Sequence, residues 1–166
     1  MNLYKGGRDI QNNNDEFEKM KNEYKNTIQT LIEKGFIENA KYLLEEYERI
    51  VKDDIEIYSI KGVLSILEGD LERAQQILEE GLKLEPLNYD LLYNLAYISE
   101  KKDMYITAYR YYKKIVNLDN NKNINIIIDK LKELENRPQV KEYKKRKKVL
   151  FIAYIFPPLG GSGVQR

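Results

Sequence analysis

The fold class is decided by residues 58–86, which read YSIKGVLSILEGDLERAQQILEEGLKLEP. Two apolar faces with helical spacing are visible in this stretch. They consist of Tyr58, Gly62 and Ile66, followed by Leu71, Ala74, Ile77, Leu78 and Gly81. Gly69 interrupts the first face, and Asp70 is a favourable N-cap for the second helix. Pro86 ends that helix, because the residue before a proline is disfavoured in the helical conformation. The stretch predicts two helices joined by a tight turn.

The same pattern recurs every 34 residues, in copies at 21–54, 55–88 and 89–122. No gap is needed to align them, and five sets of positions superpose. These sets are Tyr24, Tyr58 and Leu92; Gly35, Gly69 and Asp103; Ile37, Leu71 and Tyr105; Ala40, Ala74 and Ala108; and Leu44, Leu78 and Tyr112. The small residues predict close helix crossings, with Ala96 standing where the middle copy has Gly62. The first copy has Ile28 at that position.

A further helix is predicted over residues 123–135, after the third copy. Its apolar stripe consists of Ile124, Ile127, Ile128, Leu131 and Leu134, and charged residues occupy the opposite face. The last pair in a stack of helix pairs has an open apolar face. We therefore expect this helix to cap the third pair.

The period and the residues at its fixed positions resemble the tetratricopeptide repeat. The resemblance implies an all-α solenoid of three helix pairs plus the capping helix over residues 15–136, after a disordered N-terminus at 1–14. Two departures are Asn120, where a proline is usual, and the lack of tryptophan.

In this family the first helices of successive repeats line a concave groove that binds a protein or peptide. Carried over by position, the candidate groove residues are Lys25, Gln29, Ser59, Val63, Asp90, Tyr93, Asn94 and Tyr97. Asn94 matches a position where the family often holds the backbone of a ligand. The alternative interpretation is that the tyrosines pack between helices. Ile60 and Asp90 do not fit the clamp that binds chaperone C-termini.

A cationic run extends from Lys141 to Lys148, relieved only by Glu142 and Tyr143. Residues 137–148 are therefore interpreted as a basic linker exposed to solvent. The alternative is attachment to an anionic membrane surface, since such a run is attracted to acidic lipid headgroups. No nucleic acid is expected, because no aromatic residue other than Tyr143 interleaves the run and the rest of the chain is not basic.

Residues 149–166 predict a buried strand over 149–156 and then a glycine loop. Gly160, Gly161, Ser162 and Gly163 form the loop, which would expose backbone N–H groups to a phosphate. The stretch KKVLFIAYIFPPLGGSGVQR resembles the opening of the N-terminal, Rossmann-like domain of glycosyltransferase family 4, which has the GT-B fold. A buried strand needs neighbours, so either the natural polypeptide continues past Arg166 or this strand is exposed and prone to aggregation. We expect a fragment of a longer protein or the product of an interrupted reading frame.

Composition limits the chemistry that is available to the chain. Formal charges balance to +1, and cysteine and histidine are both absent from the 166 residues. Disulfides, thiolate metal sites and histidine general bases are therefore excluded, and we expect no cofactor, no metal and no catalytic residue. The polar N-terminus has no signal-peptide pattern, so a cytoplasmic location is expected, or a peripheral one at the inner membrane surface.

The predicted function is a protein–protein interaction scaffold, forming the N-terminal region of a glycosyltransferase but not catalytic over these residues. One alternative is a fragment of a family 4 enzyme, which transfers sugar from a nucleotide-sugar donor to a polysaccharide, lipid or protein acceptor. Only the full-length enzyme would then bind a nucleotide sugar. A further alternative is a free-standing scaffold whose C-terminal residues resemble a transferase by chance.

Overall fold

The computed structural model describes the backbone of residues 6–118 and 124–155, and the side chains of residues 14–118 and 124–147. These residues form helices and no strand, which confirms the all-α class. In chain order the helices are α1 (Gly6–Glu33), α2 (Ile37–Ile50), α3 (Glu56–Leu67), α4 (Leu71–Leu84), α5 (Tyr89–Lys101), α6 (Tyr105–Val116), α7 (Ile124–Glu135) and α8 (Pro138–Ile155). The chain divides into two compact units, Met1–Glu85 and Pro86–Arg166.

Helices α1 to α6 form three pairs of consecutive helices, as predicted: α1 with α2, α3 with α4, and α5 with α6. The boundaries keep the 34-residue period of the sequence. First helices end at Glu33, Leu67 and Lys101, and second helices begin at Ile37, Leu71 and Tyr105. The same local signals thus produce the same helix pair three times.

The turn inside each pair depends on one residue with positive φ. Gly35, Gly69 and Asp103 have φ of 77°, 83° and 56°. Glycine adopts this left-handed conformation without the steric cost that a Cβ brings, and aspartate tolerates it better than most residues. The next amide in each turn donates to a carbonyl of the first helix, as Asp70 does to Ser65 at 3.0 Å. The Gly-Gly-Asp series seen in the sequence therefore marks a recurrent turn.

Small residues allow the helices of a pair to approach closely. Ala40, Ala74 and Ala108 are fully buried. A Cβ on Gly62 would lie 2.5 Å from Cδ2 and 2.6 Å from Cγ of Leu78, so the close contact requires glycine. Ile28, at the equivalent position of the first pair, is also fully buried and fills the core of that pair with a larger side chain.

Helix α1 begins at Gly6, although a disordered N-terminus was predicted for residues 1–14. Residues 6–14 contain no proline, and extending an existing helix adds one hydrogen bond for each residue that is ordered. The polar composition of this segment therefore did not prevent it from continuing α1.

Helix α7, at the position of the predicted capping helix, packs on α6. Ile127, Leu131 and Leu134 from the predicted stripe are buried, whereas Ile126 is exposed. Helix α8 then packs on both α6 and α7. Its Val140 is fully buried, and the ring of Tyr143 lies 6.5 Å from that of Tyr109 in an edge-to-face arrangement.

The structure differs from the prediction after Arg137. The predicted basic linker at 137–148 lies mainly in the first turns of α8, and the predicted strand at 149–156 is helical as far as Ile155. Lysine and arginine are good helix formers. A short apolar run cannot be assigned to strand or helix from its periodicity alone, and a strand needs partners, which the described residues do not supply. Gly160, Gly161, Ser162 and Gly163 lie outside the described residues.

Candidate functional site

Lys25, a predicted groove residue on α1, makes two ion pairs within the first unit. Its Nζ lies 2.9 Å from Glu56 Oε1 and 3.3 Å from Asp54 Oδ2, and the side chain is only 15% exposed. Burial disfavours the ammonium ion, but the two carboxylates outweigh that effect and raise the pKa of Lys25 above its ordinary value. Lys25 therefore connects α1 to the start of α3.

Asp54 is the centre of this cluster and was not singled out in the sequence. Tyr47 Oη donates to its Oδ2 at 2.5 Å, and the Glu56 amide donates to its Oδ1 at 3.0 Å. Burial opposes ionisation, but these hydrogen bonds and the charge of Lys25 hold the pKa of Asp54 below its usual range. Burial, together with the hydrogen bond to Asp54, raises the pKa of Tyr47. The cluster is a structural junction of α1, α2 and α3.

The other predicted groove residues of the first unit are more accessible. Gln29 is exposed on α1, where its Nε2 donates to Glu33 at 3.0 Å. Ser59 and Val63 are half-buried one helical turn apart on α3. These two side chains share a face of α3, as the sequence predicted.

The second unit contains the other four predicted residues, all on α5. Asp90 and Tyr97 are exposed, and Tyr93 and Asn94 are half-buried. The ring of Tyr93 lies 6.1 Å from that of Tyr89 in a stacked arrangement and 6.2 Å from that of Tyr112 in an edge-to-face one. Tyr97 is 37% exposed, with Lys101 Nζ 5.3 Å from its ring centre. Tyr93 therefore packs between helices, whereas Tyr97 presents an accessible ring.

A cleft of about 600 Å³ lies between α2, α3 and α4 in the first unit. It was not predicted. Its lining consists of Lys41, Leu44, Glu45, Glu48, Tyr58, Lys61, Leu64, Ser65, Glu68, Arg73, Gln76, Ile77 and Glu80. On α3 it uses Tyr58, Lys61 and Ser65. Because each residue turns a helix by about 100°, these positions lie on the side of α3 away from Ser59 and Val63.

Ion pairs connect α2 to α3 and to the residue that follows α3 along this cleft. Lys41 of α2 pairs with Glu68, the residue that follows α3, and Lys61 of α3 pairs with Glu48 of α2. The cleft therefore has a polar wall of mixed charge over an apolar floor that includes Leu44 and Leu64. Such a lining suits a polar protein segment better than a small apolar ligand. The signal in the sequence is the stripe Tyr58, Lys61, Ser65 and Glu68, spaced as one face of a helix.

A second polar network joins three helices of the second unit. Tyr112 Oη on α6 donates to Glu100 Oε1 on α5 at 2.6 Å, and Lys130 Nζ on α7 lies 3.2 Å from Glu100 Oε2. Burial, with the hydrogen bond to Glu100, raises the pKa of Tyr112. This carboxylate, like Asp54, therefore accepts contacts from two neighbouring helices and holds the packing together.

Neither a metal centre nor a membrane span is formed by the residues that the structure describes. No group of three or more carboxylates among them is arranged to hold a metal ion. No helix in the same part of the chain is both long and apolar enough to cross a bilayer.

No family model matches the chain, and no curated protein matches it.

Proposed function

We propose that the chain is a protein–protein interaction scaffold of the tetratricopeptide type. The observation that supports this proposal is the threefold recurrence of one helix pair with a 34-residue period. Equivalent turns at Gly35, Gly69 and Asp103 accompany it, as do equivalent buried alanines. Repeats of this kind create extended binding surfaces from the same element presented several times.

The polar interactions inside both units support a scaffold rather than a site of chemistry. Asp54, Glu100 and Glu135 each contact a tyrosine and a lysine that come from two different helices. Their hydrogen bonds stabilise the folded arrangement. We therefore expect a partner to bind the accessible faces of the helices.

We place the binding residues on the first helices, considered separately in each unit. In the first unit Gln29 on α1 and Ser59 and Val63 on α3 are accessible or half-buried, and in the second unit Tyr97 on α5 is accessible. Tyr97 is the best candidate for an anchor, because an exposed tyrosine supplies a large contact area and a hydroxyl at low entropic cost. The expected partner is a protein segment with an apolar side chain that covers the ring of Tyr97.

Photochemical crosslinking tests this assignment. A photoreactive phenylalanine analogue is placed at Gln29 or Tyr97 on first helices, and at Tyr42 on α2 as the control, in cells that make the protein. Tyr42 is 66% exposed, so the control position is more accessible than Tyr97. We expect a discrete product from each first-helix position and none from Tyr42.

The crosslinked partner is then produced in pure form and its affinity is measured. Tyr97→Ala should weaken the complex by roughly tenfold or more, as expected for an interface anchor, and Tyr42→Ala should leave it unchanged. Equal crosslinking at Tyr42, or no loss of affinity in Tyr97→Ala, would place the binding surface elsewhere.

The resemblance of residues 147–166 to glycosyltransferase family 4 supports a second proposal, in which the repeats belong to a sugar-transferring enzyme. This proposal rests on the sequence alone, and the helical conformation of α8 up to Ile155 is not the strand that such a domain requires. An immunoblot of the native polypeptide distinguishes the two. A mass well above 19.7 kDa, with room for two Rossmann-like domains, is expected for the enzyme.

A further inference from the structure

Helix α8 combines two kinds of sequence in one continuous element. Its 18 residues, Pro138–Ile155, contain the cationic run from Lys141 to Lys148 and end in the uncharged sequence VLFIAYI at 149–155. A basic linker followed by a strand would separate these features into two structures. The helix instead joins them end to end.

The base of α8 is attached to the second unit by specific contacts. Val140 is fully buried, Tyr143 packs edge-to-face on Tyr109, and Lys144 Nζ lies 2.7 Å from Glu135 Oε1. Tyr109 Oη also donates to Glu135 Oε1 at 3.1 Å. Lys144 is therefore a structural cation, held by the carboxylate at the end of α7.

Three lysines of α8, unlike Lys144 and Arg146, are available to an external partner. Arg146 pairs with Glu142 on its own helix at 3.0 Å. Lys141, Lys145 and Lys147 are exposed and make no ion pair with any residue that the structure describes. The chain as a whole carries a formal charge of only +1, so this positive charge is local to α8.

We propose that α8 docks the protein on the surface of an anionic lipid bilayer. Lys141, Lys145 and Lys147 contact the acidic headgroups, and the apolar residues 149–155 enter the boundary between headgroups and acyl chains. Seven helical residues extend about 10 Å, close to the depth at which interfacial helices bury their apolar parts. The hydrocarbon core is about 30 Å thick, so the helix enters one leaflet without crossing it.

The apolar end of α8 favours a bilayer over a nucleic acid. Phosphates of RNA or DNA would pair with the three lysines. A nucleic acid has no apolar layer, however, that could accommodate the seven uncharged residues 149–155. A bilayer interface provides acidic headgroups and an apolar layer within a few ångströms of each other, in the order that α8 requires.

Vesicle flotation of the full chain tests the proposal. The probes are vesicles of phosphatidylcholine with about 30% phosphatidylglycerol and vesicles of phosphatidylcholine alone, at roughly 0.1 M NaCl, where charges are still felt over a Debye length. We expect the chain to float with the anionic vesicles and to remain unbound with the neutral ones. No binding to the anionic vesicles would overturn the proposal.

Charge-matched variants identify the surface responsible. K141Q/K145Q/K147Q should weaken partitioning onto anionic vesicles by roughly 100-fold, as expected for three cations near an acidic surface. The control K34Q/K52Q/K83Q removes the same charge from exposed positions in the first unit and should change binding by no more than about twofold. An equal loss in both variants would indicate a net-charge effect and refute a site on α8.

A second variant tests the apolar end. F151Q/I152Q keeps every charge and should lower partitioning by about tenfold or more, because glutamine enters an apolar layer less favourably than phenylalanine or isoleucine. Undiminished binding of this variant would refute insertion. Retardation of an RNA probe by the same three lysines, without vesicle binding, would replace the bilayer by a nucleic acid.

Discussion

At the scale of single residues, Asp54 shows how one side chain can have a local and a long-range role. Its Oδ1 accepts from the amide of Glu56, the first residue of α3. Asn88, 34 residues later, does the same for α5 by accepting from the Leu91 amide at 3.2 Å. The spacing makes a polar residue at this position predictable. The bonds from Tyr47 and Lys25 depend on α1 and α2 being folded against the same loop.

The lowered pKa of Asp54 makes the first unit sensitive to acid. A carboxyl group whose pKa is lower in the folded state stabilises that state above its unfolded pKa of about 4, and the contribution is lost as the pH falls further. We expect the free energy of unfolding to decrease below about pH 4 more steeply in the natural protein than in Asp54→Asn. Urea unfolding between about pH 3 and 7 measures the difference.

Asp53→Asn is the matched control, because Asp53 precedes Asp54 and is exposed. It should leave the pH dependence of unfolding close to that of the natural protein. At neutral pH, Asp54→Asn should also cost about 1–3 kcal/mol by weakening buried polar contacts. Parallel pH profiles for both variants would show that Asp54 does not contribute to acid sensitivity.

At the scale of helices, α7 offers a direct test of its capping role. Ile126 is 54% exposed and Ile127 is fully buried, although the two are adjacent in the sequence. Ile127→Ala should cost about 2–5 kcal/mol, because it leaves a cavity against the packed core. Ile126→Ala should cost less than about 0.5 kcal/mol. Similar losses in urea unfolding would show that α7 does not cover the core by this face.

Helix α8 shows where pattern reading stops being sufficient. The apolar run at 149–155 has neither the alternation of a half-buried strand nor the spacing of an amphipathic helix, so its period is compatible with both. The structure continues the helix that begins at Pro138, and the hydrogen bonds of a helix are made within the segment. A strand would need partners from elsewhere in the chain.

At the scale of the whole molecule, the position of Val140 predicts which truncations are tolerated. A chain ending at Lys147 keeps Val140, Tyr143 and Lys144 in place and should unfold in urea like the full chain. A chain ending at Pro138 loses these contacts and should be less stable by about 2–4 kcal/mol in the transition of the second unit.

Val140→Ala in the full chain separates packing from truncation, and it should cost about 1–2.5 kcal/mol. Circular dichroism at 222 nm follows all three variants. Equal stability of the chains ending at Pro138 and Lys147 would mean that α8 is only appended to the second unit and contributes nothing to its fold.

The helix pairs, their turns and the helix after the third pair could be predicted from the sequence. The signals for them act over a few neighbouring residues: periodic apolar faces, glycines that adopt positive φ, and helix caps. The pairing of Lys25 with Asp54 and Glu56 does not follow from these signals, nor does the burial of Val140 or the cleft between α2, α3 and α4. Each of these depends on which surfaces of distant segments meet. Burial and ion pairing act through space, and a repeat pattern specifies the elements better than it specifies their contacts.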